Sequence, residues 1–158
     1  MVARFRGKDL TPCKYCGGRV RCLKGSECYV RRPDLHHTRR WVCEDCGASV
    51  GCKKGTTQPL GSLADEQLRR MRLYAHKCFD PLWKDKTCTR DCAYRWLSQK
   101  MDTSKDDTHI ALYDVTQCAK VIAFSLVALK RAGKHTPALP PDVKKEVRKV
   151  KSCVKALR

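Results

Sequence analysis

Cys13-Lys14-Tyr15-Cys16-Gly17 and Cys43-Glu44-Asp45-Cys46-Gly47 each set two thiols three residues apart and follow them with a glycine. The match extends further. Val20 and Cys22 after the first pair align without gaps on Val50 and Cys52 after the second, so both segments read C-x-x-C-G-x-x-V-x-C. A C-x-x-C turn aims two sulfurs at one point, and the glycine supplies the positive φ that such a turn needs. Two of these turns offer four thiolates, the donor set of a closed, structural zinc site. Cys13, Cys16, Cys43 and Cys46 are therefore the expected ligands of one Zn2+. Four sulfurs leave no open coordination position, so this ion is expected to build structure and not to catalyse.

Other cysteines and histidines admit further metal chemistry. Cys22 and Cys52 follow Cys16 and Cys46 by six residues and would need Cys28 or His36 and His37 to complete a site. Small half-buried thiols are the expected alternative. His76, Cys78, Cys88 and Cys92 form a second candidate cluster, at a spacing unlike common ribbons. A second zinc there is the lesser expectation. His76 and Asp80, four residues apart, would suit a metal-dependent nuclease. No further carboxylate cluster accompanies them, and the Gly51–Gly61 segment lacks the lysine of a phosphate-binding P-loop. No catalytic residue is assigned, and an enzyme is the less expected outcome.

The elements that must position the four thiols follow from the intervening sequence. Val20–Leu23 and Cys28–Val30 read as short strands around a Lys24-Gly25-Ser26 turn. Arg31–Arg40 reads as a polar loop, with Trp41-Val42 leading into the second cysteine pair. This is the outline of a zinc ribbon over residues 1–56. A helix is expected from Ser62 as N-cap with Asp65 three residues on, with Ala64, Leu68, Met71, Ala75 and Cys78 at helical spacing, ending at Asp80-Pro81. Thr89 is placed to cap a second helix through Ala93, Trp96 and Leu97. Asp106–Tyr113 reads as a strand or an extended entry. Asp114 is placed to cap a third, buried helix that runs to about Arg131, with Gly133 as its stop. After a proline-punctuated linker, Asp142 opens a last helix. There Val143, Val147, Val150, Val154 and Leu157 form an apolar stripe. That stripe suits docking on the rest of the chain, dimerisation or a helix lying along a phosphate backbone. The predicted class is α+β: a ribbon (1–56), a helical domain packed on it (57–135), and a linker with a basic amphipathic helix (136–158).

The formal net charge of the 158-residue chain is +18. Residues 1–56 carry 13 basic and 5 acidic side chains, and residues 136–158 carry 7 and 2, so the excess sits at the two ends. Such a field favours a polyanionic partner, of which nucleic acid is the commonest in a cell. The candidate phosphate contacts are Arg19, Arg21, Lys24, Arg31, Arg32, Arg39, Arg40, Lys53 and Lys54 in the ribbon. In the tail they are Lys144, Lys145, Arg148, Lys149, Lys151 and Lys155. Tyr15, Tyr29 and Trp41 are candidates for stacking on bases, and packing of Trp41 within the ribbon is the equal alternative. DNA, RNA, single strand and duplex are not separated by these features. Residues 1–10 are charged and hold no apolar run, and no segment is long and apolar enough to span a bilayer. With the cysteines in C-x-x-C pairs, a reducing compartment, the cytoplasm, is expected.

Several blocks occur in a specific order: Cys13 to Gly18, Trp41 to Cys46, Val50 to Cys52, Gly55-Thr56, Pro59 to Gly61, Leu68-Arg69, Ala75-His76, Phe79 to Trp83, Ala93 to Leu97, and His109-Ile110 with Cys118 downstream. In these, from Cys13 to about Ile122, the chain resembles a family of zinc-finger-containing proteins of unknown function found mainly in bacteriophage and prophage genes. Cys22, Cys28, Cys78, Cys88 and Cys92 depart from that pattern, and the tail beyond Gly133 lies outside it. The resemblance implies a zinc module fused to a helical part, of phage derivation and acting in the host cytoplasm, and it implies no activity. Small phage proteins often act on host transcription, replication or defence machinery. A protein-binding adaptor or inhibitor is thus the alternative to nucleic-acid binding.

Overall fold

A computed structural model of the protein describes residues 7–84 and 88–155. Val20–Lys24 (β1), Arg39–Cys43 (β2) and Ser49–Gly51 (β3) form an antiparallel sheet in the order β1-β2-β3. Val20 lies opposite Cys43, Cys22 opposite Trp41, and Trp41 opposite Val50. This register puts the two repeated valines on one face, where both are buried. The chain after β3 returns to the same sheet. Ser49 and Ala64 exchange backbone hydrogen bonds of 2.8 and 3.1 Å, and Cys52 bridges Pro59. The first compact unit accordingly extends to Gln67. Its core is Leu10, Cys13, Val20, Cys43, Ala48, Val50 and Leu63, with Trp41 packed against it.

Cys28 does not sit in a strand as its β-prone neighbours suggest. Gly25–Cys28 winds into a single helical turn (α1), and β1 pairs with Arg39–Cys43 instead. The cause is a close approach. The Gly25 N–H donates to the Thr38 carbonyl at 2.8 Å, and a Cβ at Gly25 would lie 1.9 Å from the Leu35 carbonyl oxygen. Only glycine fits there, and the chain must turn at once.

The second compact unit runs from Leu68 to the C-terminus. Glu66–Phe79 (α2) begins four residues after the expected Ser62 cap. Asp80-Pro81 ends it, and Pro81–Lys84 (α3) forms one further turn with proline at its first position. Arg90–Met101 (α4) starts where expected: the Thr89 hydroxyl accepts from the Cys92 N–H at 3.1 Å. Asp102–Tyr113 is a series of turns and not an extended segment. Short polar side chains compete there for the backbone: Thr108 Oγ1 donates to the Ser104 carbonyl at 2.6 Å, and Ser104 Oγ donates to Asp107 at 2.7 Å.

Val115–Arg131 (α5) opens with a reciprocal cap. The Gln117 N–H donates to Asp114 Oδ1 at 2.7 Å and the Asp114 N–H donates to Gln117 Oε1 at 3.0 Å. Asp114→Ala should cost about 1 kcal/mol, read as a fall of roughly 3 °C in melting temperature by calorimetry. Pro141–Lys155 (α6) packs on α5. Val143, Val147 and Val150 of its stripe are buried, while Val154 and Leu157 lie outside the residues whose side chains are described. Phe79 of α2, Leu97 of α4, Ile110, and Ile122 and Leu129 of α5 complete this second core. Phe79 meets Tyr94 edge-to-face at 4.9 Å between ring centroids. The fold is α+β, a small antiparallel sheet followed by helices.

Candidate metal centre and cationic surfaces

The two cysteine turns are built alike. The Gly17 N–H donates to the Cys13 carbonyl at 2.8 Å, and the Gly47 N–H donates to the Cys43 carbonyl at 3.1 Å. The first cysteine's own N–H then donates five residues ahead, Cys13 to Gly18 at 2.9 Å and Cys43 to Ala48 at 2.8 Å. Gly17 and Gly47 have φ of 75° and 70°, and nothing lies within 4 Å of a Cβ at either. Backbone conformation alone therefore selects glycine at both.

The turns bring four sulfurs together. Cys13 Sγ lies 3.7 Å from Cys46 Sγ and Cys16 Sγ lies 3.4 Å from Cys43 Sγ. All four lie within 4.8 Å of one another. A tetrahedron with metal–sulfur bonds of about 2.3 Å has sulfur–sulfur edges of about 3.8 Å, so the residues fit zinc. Backbone N–H groups prepare the site. Those of Cys46 and Asp45 help hold the Cys43 thiol down to about 7. The Gly18 N–H pulls the Cys16 thiol down as well, yet the neighbouring thiols and burial leave it pushed up to about 12. Four thiolates repel one another until a cation joins them, which is why metal binding must release protons.

A family model for a zinc-finger-containing domain matches residues 9–127, well over half of the 158 residues. The chain belongs to this family. No curated protein and no solved structure matches it significantly. Cysteine geometry and family agree: in this zinc-finger-containing protein, Cys13, Cys16, Cys43 and Cys46 hold a structural zinc ion.

The other metal-competent residues are not gathered in this way. Among the described residues the four cysteines are the one group of three or more within ligand distance. Cys78 is fully buried and its thiol is pushed up to about 11 by that burial. Cys88 donates to the Leu82 carbonyl at 3.4 Å. The second candidate cluster, with His76 and Cys92, is thus not assembled among the described residues. Cys22, Cys28 and Cys52 are half-buried, and Cys52 is raised to about 11 by burial and then by Cys22. His76 and Asp80 do meet, at 3.3 Å, but Lys84 takes the other Asp80 oxygen at 2.8 Å. Asp80 is thus shared between a histidine and a lysine at a helix end.

The ribbon cations fall into two groups. Arg21 pairs with Glu44 at 2.9 Å, Arg32 with Asp34 at 2.7 Å, and Arg40 donates to Ser49 Oγ at 3.0 Å while lying over Tyr29. Arg19, Lys24, Arg31, Arg39, Lys53 and Lys54 are exposed. Two of the candidate stacking aromatics make edge hydrogen bonds within the ribbon. Trp41 Nε1 donates to the Thr57 carbonyl at 2.8 Å, and the Tyr15 hydroxyl donates to the Leu63 carbonyl at 3.3 Å.

In the tail, Lys149 donates to both Glu146 oxygens at 2.9 Å, and the Lys155 side chain lies outside the described residues. Lys145 is exposed. Lys144, Arg148 and Lys151, spaced for one helix face, line a cleft of about 520 Å3 between α5 and α6. Lys130 of α5 joins them, over a floor that includes Leu126, Leu139 and Val147. Sequence reading passed over Lys130 because its stretch is apolar. Its signal was the adjacent Lys130-Arg131 pair at the end of that run. No helix among the described residues is long and apolar enough to cross a membrane.

Proposed function

We propose that this zinc-binding protein binds nucleic acid through phosphate contacts, and that it is of phage derivation, as its family resemblance suggests. The zinc ribbon is the rigid platform for one set of cations, and the α5–α6 cleft presents another. One observation carries the reading. Lys130, Lys144, Arg148 and Lys151 converge on a cleft whose lining holds no acidic residue, and none of the four has an ion-pair partner among the described residues. Four like charges held together repel one another, and an anionic ligand relieves that repulsion. Their aliphatic stems can cover the apolar floor while the charged heads stay at the rim. Arg19, Arg31, Arg39, Lys53 and Lys54 extend the same chemistry to the ribbon.

Fluorescence anisotropy of nuclease-treated, zinc-loaded protein tests this on duplex DNA, single-stranded DNA and RNA across a salt series. Four phosphate contacts on duplex give a slope of log K against log salt of about −3.6, a loss of roughly a hundredfold between 50 and 200 mM salt. Lys144→Gln with Arg148→Gln and Lys151→Gln should flatten that slope by about 2.7. Arg31→Gln with Arg39→Gln and Lys53→Gln measures the share of the ribbon. Absence of binding to all three nucleic acids at moderate salt overturns the proposal. A protein complex that survives nuclease and high salt would then identify the chain as a protein-binding adaptor.

A further inference from the structure

The other flank of α5 carries a second cleft, of about 420 Å3. Trp96 and Lys100 of α4 line one side, and Phe124, Val127, Ala128 and Arg131 of α5 line the other. It differs from the α5–α6 cleft in holding aromatic side chains. Trp96 is half-buried, and it flanks the Ala93 and Leu97 positions through which α4 enters the core. Lys100 follows it by one helical turn, so indole and ammonium share one side of α4. Arg131 is exposed at the end of α5 and has no ion-pair partner among the described residues. No acidic residue lines the cleft.

An aromatic ring in an apolar slot with cations at its mouth matches a flat, apolar-faced group that carries negative charge beside it. A nucleotide of a single strand is such a group: the base has a π-face for the indole, and the neighbouring phosphates have oxygens for the cations. A paired base within a duplex is stacked on both faces and cannot enter. We propose that the α4–α5 cleft receives an unpaired nucleobase stacked on Trp96, with adjoining phosphates on Lys100 and Arg131, so that the protein prefers single strands to duplex. This rests on the nucleic-acid reading above and adds to it the form of the ligand.

The test uses the full zinc-loaded chain, a thymidine oligonucleotide of about a dozen nucleotides, and a hairpin duplex of equal charge. The oligonucleotide should quench tryptophan fluorescence and bind more tightly than the hairpin. Trp96→Leu should abolish most of that quenching and weaken single-strand binding by about tenfold, with hairpin affinity unchanged. Trp96→Phe, which keeps a stacking ring, should restore part of the loss. Lys100→Gln with Arg131→Gln touches only the rim, and it should flatten the single-strand salt slope by about 1.4, two contacts' worth. Equal binding of oligonucleotide and hairpin, with both variants at wild-type affinity, overturns the cleft assignment and leaves phosphate binding standing. Failure of both probes to bind overturns the two together.

Discussion

Removing the zinc should unfold the ribbon unit while the helical unit keeps its helices. Among the described residues the ribbon's core cluster has seven buried members, and two of them, Cys13 and Cys43, are themselves metal ligands. Its strands span only five, five and three residues. A sheet so short, with so little apolar area to bury, does not offset the chain entropy of ordering about sixty residues. Zinc binding in small sulfur-ligated modules contributes about 10–16 kcal/mol, comparable to a typical domain's whole stability. Cys43→Ser should therefore act as chelation does, because it removes a ligand and a core position at once. Hydrogen exchange is the measurement. On chelation, the amides of Cys13, Gly17, Cys43 and Gly47, all hydrogen-bonded within the two turns, should lose protection. Those of α5, whose Val121, Ile122 and Leu129 are buried in the other compact unit, should retain it. Native mass spectrometry should find one zinc per chain. Protection of β1–β3 that survives chelation, or two tightly held equivalents, would overturn this account.

The metal site was legible because everything it needs is local. Two thiols at a fixed spacing and a glycine at the turn are visible in five residues, and the repeat shows that the unit occurs twice. Helix starts were legible for the same reason. Thr89 and Asp114 act within three residues of themselves, so their role needs no knowledge of distant chain. Ser62 does not open α2, because residues 59–64 are claimed by the sheet. The Ser49–Ala64 pairing holds that stretch extended and delays α2 to Glu66. Gly25–Cys28 failed in the same way: its helical turn depends on Thr38 and Leu35, ten or more residues away. Local propensity lost wherever a long-range hydrogen bond had a prior claim.

Charge was legible as a total and illegible as a surface. Arg21, Arg32, Arg40 and Lys149 are spent on neighbours inside the fold. Lys130, which no motif marks, faces a cleft with three tail residues. Which cations remain available to a ligand depends on pairing and convergence, and both are tertiary properties. Trp96 shows the same limit. Its helical spacing with Ala93 and Leu97 identifies a helix, and the spacing cannot say that the ring borders an open cleft while its neighbours are buried.

Val143→Asp should detach α6 and, with it, the α5–α6 cleft. Val143, Val147 and Val150 are 1%, 4% and 6% exposed, and they are the buried valines of α6 among the described residues. An isolated helix of fifteen residues is marginal in water. This one also carries like charges one turn apart, at Lys144 and Arg148 and at Lys145 and Lys149, which weaken it further. Its helicity therefore depends on docking. A carboxylate at a fully buried valine has no partner, and undocking costs less than keeping it there. The expected loss is about 3–4 kcal/mol of the packing of α6. It should be read as a fall in helical circular dichroism and as new tryptic cleavage between Lys144 and Lys151. The main chain of α5 should stay protected from exchange. Polyanion binding should weaken although Lys130, Lys144, Arg148 and Lys151 are all still present, because they no longer converge. Val143→Asn removes the apolar contact without adding charge, so it separates lost docking from simple electrostatic repulsion. If Val143→Asn leaves binding intact while α6 is cleaved, the tail acts as a charged tether and its fold is irrelevant to the ligand. If binding falls in step with docking, the arrangement of the cations around the cleft is what the ligand recognises.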